Sequence, residues 1–154
     1  MHAGSTDGQG LSIGIIVAQF NSFITERLLE GALRTLRGSG VSDDAVTVAY
    51  VPGAFELPLA AKKMAASGRF HAVVCLGCVI RGETPHFEYV SQSAAHGILQ
   101  AGLDTSVPVI FGVLTTNTVE QARARAGAQF GNSGASSAQA AIHMANLFRQ
   151  MQLE

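Results

Sequence analysis

The sequence has few charged residues, only two cysteines and no long apolar run. Charged residues make up 14% of the 154, the formal net charge is −1, and no block of basic residues occurs. Binding to nucleic acid or to a membrane surface therefore has no electrostatic support. No apolar run approaches the roughly 20 residues that span a bilayer, and no basic start followed by an apolar segment indicates export. We therefore expect a cytoplasmic protein.

The two cysteines, Cys75 and Cys78, form a C-x-x-C pattern that would suit a redox dithiol or half of a zinc site. Cys75, however, lies inside an apolar run typical of a buried strand, whereas redox cysteines usually lie at a helix N-terminus. No second cysteine pair is present to complete a zinc site. We expect both cysteines to be structural, and we expect no metal.

The length and composition predict one domain that associates with other copies. A chain of this size buries roughly 70% of its unfolded surface. Residues 1–10 are small and polar with three glycines, which predicts a flexible N-terminal segment before a single domain at 11–154. Hydrophobic residues reach 47% of the chain, so few charges remain to cover its surface. Part of that surface is therefore expected to lie in a subunit interface.

Apolar runs of strand length alternate with segments that have helical periodicity. The predicted strands are 11–18, 45–51, 71–80 and 107–114, and the predicted helices are about 24–38, 56–66, 87–103, 118–127 and 135–151. Strands that are apolar throughout and alternate with helices favour a parallel sheet covered on both faces. We predict an α/β fold, namely a three-layer αβα sandwich on a four-stranded parallel sheet with flavodoxin-like winding.

Ligands of such sheets bind beyond the carboxyl ends of the strands, which directs attention to the segments that follow each strand. Phe20 and Phe55 lie there and could stack on a flat heterocycle, although aromatics at such positions are also common in cores and interfaces. Glu56 could accept hydrogen bonds from a polyol, or it could simply favour the start of a helix.

Residues 82–86 are the most informative segment. Thr84 is a favoured N-cap residue, Pro85 suits the first helical position, and His86 then lies in the first turn beside free N–H groups. The amides of Gly82 to Thr84 suit a phosphate or carboxylate. Residues 77–84 nearly match the nucleotide-binding P-loop, but Glu83 stands at its lysine position and would repel the phosphates, which excludes a nucleotide. The helix end disfavours an imidazolium and a bound phosphate favours it, so the histidine suits proton transfer. An ordinary capped helix would also explain these residues.

Several motifs together resemble lumazine synthase. They are QFN at 19–21, VPGAFE at 51–56, GCVIRGETPHFE at 77–88, FGVLT at 111–115 and RAG at 125–127. The resemblance covers about residues 11–147 and implies a transferase of riboflavin biosynthesis. The implied reaction condenses 5-amino-6-(D-ribitylamino)uracil with 3,4-dihydroxy-2-butanone 4-phosphate to 6,7-dimethyl-8-ribityllumazine, the penultimate step, without a cofactor.

The resemblance also implies roles for particular residues. His86 would transfer protons. The pyrimidine and its ribityl chain would contact Phe20, Ala54, Phe55, Glu56, Val79, Ile80 and, from a neighbouring subunit, Phe111. The phosphate would contact Gly82, Glu83, Thr84 and Arg125. Asn21 and Ser133 are less certain members of the site.

Family members are pentamers, and some assemble into hollow shells of twelve pentamers. The resemblance therefore implies sites between adjacent subunits, an N-terminal segment that can pair with a neighbour, and riboflavin synthase as a candidate partner. The sequence leaves open whether this chain forms a pentamer, a decamer or a shell.

Two departures from the family pattern keep another function open. Gln19 stands where many members have arginine, and Ser133 stands where many have a lysine that offers a cation near the substrate. Loss of one charge-assisted hydrogen bond corresponds to about 1.5–3 kcal/mol. The alternative is a homologue that binds lumazine or flavin, or forms a shell, without catalysis.

Overall fold

The structure, a computed structural model, describes residues 1–127 and 131–153. Four strands form one parallel sheet in the order β2-β1-β3-β4. They are β1 (Ile13–Ala18), β2 (Val46–Val51), β3 (Ala72–Ile80) and β4 (Val109–Thr116). The helices are α1 (Ser22–Gly38), α2 (Leu57–Ala66), α3 (His86–Thr105), α4 (Val119–Ala124) and α5 (Ser133–Gln150). The predicted three-layer sandwich with flavodoxin-like winding is confirmed.

Each face of the sheet carries its own core. In β1, the side chains of Ile13, Ile15 and Val17 pack against α1, α4 and α5, whereas Ile16 and Ala18 pack against α2 and α3. This alternation follows from the two-residue period of a strand, and both faces are covered. The centre of the sheet is therefore apolar, and polar groups collect at its carboxyl edge.

The two cysteines of β3 belong to different cores. Cys75 packs with α2 and α3, and Cys78 packs on the opposite face, as their three-residue spacing in a strand requires. Both thiols are free and buried, and burial raises the pKa of each to about 12. Two thiols on opposite faces of a sheet cannot form a local disulfide, so the structural interpretation of the C-x-x-C pattern is confirmed.

The N-terminus of α5 lies directly against α1. Asn132 caps α5 by accepting a hydrogen bond from the Ala135 amide at 3.0 Å, and its side-chain amide donates to the Arg27 carbonyl at 3.0 Å. A Cβ built on Gly134 would lie 1.9 Å from the carbonyl oxygen of Leu28. Only glycine permits this approach of the two backbones.

The first ten residues lie along α5. The side-chain amide of Asn146, only 3% exposed, donates to the carbonyls of Ser5 and Asp7 at 3.0 and 2.7 Å. The Gly8 amide donates to the Ser39 carbonyl at 2.8 Å. Pairing of this segment with a neighbouring subunit stays a prediction.

Most predicted element boundaries lie within two residues of those observed, and two differences matter. β4 begins at Val109, after a proline that has no N–H to donate, and it continues to Thr116 instead of ending at residue 114. The strand extends because its pairing with β3 continues to Ile80↔Thr116. The short helix α4 has the expected Thr118–Gln121 capping box, but it ends at Ala124, three residues before the predicted Gly127. No helix within the described residues is long and apolar enough to cross a bilayer.

Candidate active site

A cavity of about 610 Å³ opens at the carboxyl edge of β1, β2 and β3. It lies where the parallel-sheet rule places a ligand, between the first turns that follow these strands. Its described lining residues come from three chain segments and from the start of α3: Phe20, Asn21, Gly53, Ala54, Phe55, Glu56, Cys78, Val79, Ile80, Gly82, Thr84, His86, Phe87, Tyr89 and Val90. Most of these side chains are apolar, as in typical small-molecule sites.

The turn after β1 presents an aromatic ring to the cavity. Phe20 is 62% exposed, and its amide donates to the Pro52 carbonyl at 3.0 Å. The next residue, Asn21, adopts the left-handed conformation with φ 62° and ψ 43°. Its side-chain amide donates to the Cys78 carbonyl at 2.8 Å, which ties this turn to β3. Asn21 therefore fixes the backbone that carries Phe20.

The turn after β2 contributes a second aromatic ring and a carboxylate. Ala54 to Glu56 form a single 3₁₀ turn in which Ala54 is buried and Phe55 is 61% exposed. The Glu56 amide donates to the Gly53 carbonyl at 3.2 Å. A Cβ on Gly53 would lie 3.2 Å from Glu56 Oε1, so glycine leaves room for the carboxylate. The site thus has a hydrogen-bond acceptor and two exposed rings.

The segment after β3 presents free backbone amides next to a histidine. Within the described residues, nothing accepts a hydrogen bond from the N–H of Gly82, Glu83 or Thr84. α3 begins at His86 with Pro85 as its N-cap, so the N-cap lies one residue after the predicted Thr84. The Thr84 hydroxyl nevertheless accepts a hydrogen bond from the His86 amide at 3.4 Å, so it performs part of the predicted capping role. Free amides at a helix start suit an anion.

Four of the predicted site residues are not among the described residues that line this cavity. Glu83 is exposed on the loop but does not line the cavity, and Phe111 lies within β4, paired with Cys75 and 43% exposed. Arg125 and Ser133 lie beside each other, because the Ser133 amide donates to the Arg125 carbonyl at 2.9 Å. Their roles in a site, and those of the lining residues, stay predictions.

Five lining residues were not predicted: Gly53, Cys78, Phe87, Tyr89 and Val90. Tyr89 and Val90 follow His86 by three and four positions, so helical spacing places all three on one face of α3. This spacing from His86 could have identified Tyr89 and Val90 as lining residues from the sequence. The inclusion of Cys78 depends on where β3 ends relative to β1, which the sequence does not show.

The cavity can hold a flat molecule that carries a polar chain and an anionic group. Two exposed aromatic rings flank it, one carboxylate accepts hydrogen bonds, and loop amides lie near a histidine. Within the described residues, no three His, Cys, Asp or Glu side chains cluster as metal ligands would. The rings, the carboxylate and the histidine suit binding, orientation and proton transfer.

The fold and the site together define a class of protein. The class is that of flavodoxin-like α/β domains with a binding cleft at the carboxyl edge of the sheet. Within that class, a family model described as 6,7-dimethyl-8-ribityllumazine synthase matches residues 10–149. The match spans nearly the whole chain, and the protein belongs to the lumazine synthase family, a family of transferases. The family resemblance predicted from the motifs is confirmed.

Proposed function

We propose that this protein condenses 5-amino-6-(D-ribitylamino)uracil with 3,4-dihydroxy-2-butanone 4-phosphate to give 6,7-dimethyl-8-ribityllumazine, with release of phosphate and water. The observation that carries the proposal is the convergence of Phe20, Glu56, Gly82, Thr84 and His86 on one cavity. Each group matches one part of this substrate pair.

The pyrimidine would stack on Phe20, with Ala54, Phe55, Val79 and Ile80 completing an apolar slot. Its ribityl chain carries several hydroxyl groups, and Glu56 offers them an ionised acceptor at the edge of that slot. Stacking together with a directional acceptor selects a heterocycle that bears a polyol.

The phosphate substrate would be held by the free loop amides, with Thr84 and the start of α3 favouring its negative charge. The amino group of the pyrimidine then forms an imine with the ketone and releases water. Elimination of phosphate leaves an enol that becomes a ketone, and attack of the second nitrogen on that ketone closes the ring with loss of a second water molecule. Each step moves protons, and His86 lies at the same helix start to accept and return them.

The proposal includes assembly into a homo-oligomer built from pentamers. Phe111, Arg125 and Ser133 belong to the predicted site but do not line the cavity of their own chain. A neighbouring subunit could supply them, in which case the site is complete only in the assembly. Large apolar side chains are also exposed on α2 and α3, namely Leu59, Tyr89, Leu99 and Leu103, as expected of a subunit interface.

The experiment is to mix the two substrates with the purified protein and to follow lumazine fluorescence and phosphate release together. The proposal expects both products to appear at equal rates, with a protein-free mixture as the control for uncatalysed condensation and the His86→Ala variant as the control for proton transfer. Tight binding of lumazine without turnover would instead support the non-catalytic binding protein that Gln19 and Ser133 suggest. A large particle without turnover would favour the shell.

A further inference from the structure

Arg81 makes contacts that no role described so far requires. It follows β3 directly, and its amide donates to the Thr116 carbonyl at 2.8 Å. Its guanidinium donates from Nε to Asn117 Oδ1 at 2.8 Å and from Nη1 to Glu88 Oε1 at 2.5 Å. The guanidinium carbon also lies 4.5 Å from the centre of the Phe87 ring. One side chain thus joins the end of β4 to the first turn of α3.

Residues 82–85 form the loop between Arg81 and His86, and few other contacts fix its position. Residues 82–85 are exposed, and within the described residues the N–H groups of residues 82–84 make no hydrogen bonds to the protein. Their position is therefore set mainly by the two points where the loop is attached, namely Arg81 at the end of β3 and His86 at the start of α3. Both points are fixed relative to each other by the Arg81 guanidinium.

Global stability does not account for this arrangement. The Arg81 and Glu88 side chains are 46% and 42% exposed, and exposed ion pairs contribute little to the free energy of unfolding. The arginine is also not among the described residues that line the cavity. It does not contact a ligand there, so it can affect one through the loop and the helix start that it holds, or through its charge at a distance.

We propose that Arg81 is a positioning residue for the reaction. By bridging Asn117 and Glu88 while it stacks on Phe87, it holds the amides of residues 82–84 and the His86 ring in the geometry that receives the phosphate substrate. This inference rests on the proposed function of the cavity. It adds a residue from outside the cavity to the set that determines affinity for the anion.

The test compares Arg81→Met, which keeps much of the side-chain length but removes every donor, with Arg37→Met as a matched control. Arg37 forms an exposed pair with Asp43 far from the cavity. For Arg81→Met, kcat/KM for the butanone phosphate should fall roughly tenfold to hundredfold, because small displacements of binding groups have effects of that size. KM for the pyrimidine and the melting temperature should stay near those of the parent, and Arg81→Lys should recover part of the loss.

Glu88→Ala separates positioning from simple attraction between arginine and phosphate. If Arg81 acted through its charge alone, removal of a neighbouring negative charge would strengthen phosphate binding. If Arg81 acts by holding α3, the same change weakens binding, and the double variant Arg81→Met/Glu88→Ala is hardly worse than Arg81→Met alone. Tighter binding in Glu88→Ala would therefore overturn the proposal.

A titration with inorganic phosphate, followed by ³¹P NMR, keeps this inference separate from the proposed function. Weaker phosphate binding in Arg81→Met but not in Arg37→Met would support the inference even if the parent protein showed no turnover, which would refute only the proposed reaction. Parent-like turnover and phosphate affinity in Arg81→Met would overturn the inference and leave the reaction standing. An equal loss of pyrimidine affinity and melting temperature would show a general structural role and would also overturn it.

Discussion

Substitutions of Asn21 can separate two contributions to the free energy of unfolding, namely that of a left-handed turn and that of a single hydrogen bond. Its left-handed backbone, with φ 62°, costs an ordinary residue about 1–2 kcal/mol, whereas glycine adopts it freely. Its side chain donates to the Cys78 carbonyl at 2.8 Å, a contact worth about 0.5–1.5 kcal/mol net. Asparagine tolerates this backbone, so Asn21→Ala loses the bond and also incurs the backbone cost, and the free energy of unfolding should fall by about 2–3 kcal/mol. Asn21→Gly loses the bond alone, so its free energy of unfolding should fall by about 1 kcal/mol.

Urea unfolding of the parent and both variants measures these differences. All three proteins must be compared at one concentration, because the apparent stability of an oligomer depends on it. Asn21→Asp, which tolerates the same backbone but cannot donate, should resemble the glycine variant. If Asn21→Gly were as unstable as Asn21→Ala, the backbone conformation would contribute nothing and the reasoning would be refuted.

Three further predictions concern catalysis, the phosphate and packing. His86→Ala should slow turnover by about 10²–10⁴ while pyrimidine affinity, measured by calorimetry, stays near that of the parent; equal loss of both would mean that the residue is structural. Arg125→Ala should raise KM for the phosphate substrate roughly tenfold to hundredfold in steady-state kinetics, and an unchanged KM would remove the residue from the site. Gly134→Ala should lower the free energy of unfolding by about 3 kcal/mol or more, because its Cβ would lie 1.9 Å from the Leu28 carbonyl oxygen. Gly38→Ala, where nothing lies within 4 Å, is the control and should have little effect on thermal unfolding.

The sequence predicts the sheet well because the information it needs is local. Each strand is a short apolar run, each helix has its own apolar stripe, and a parallel sheet follows from their alternation. The same rule places Phe20, Glu56 and His86 at one edge before any contact is known. Most of the cavity is therefore predictable from the order of the elements.

Contacts between distant parts of the chain were not predictable in this way. The bond from Asn21 to the Cys78 carbonyl joins residues 57 positions apart, and it depends on a register that ends at Val17↔Leu76. Arg81 belongs to a motif that the sequence singles out, yet its partner Asn117 is 36 positions away, just after the end of β4. Side-chain reach across strand ends is a three-dimensional property, and single-sequence periodicity does not encode it.

The contacts of Asn146 determine when residues 1–10 can dock during synthesis of the chain. Its side chain binds Ser5 and Asp7, which precede it by 141 and 139 positions, so residues 1–10 have no partner there until α5 has been made. At roughly 5–20 residues per second, that delay is on the order of 10 s. Residues 1–10 are therefore made well before α5, and until α5 has been made they lack the contacts to Asn146 and are open to proteases and chaperones.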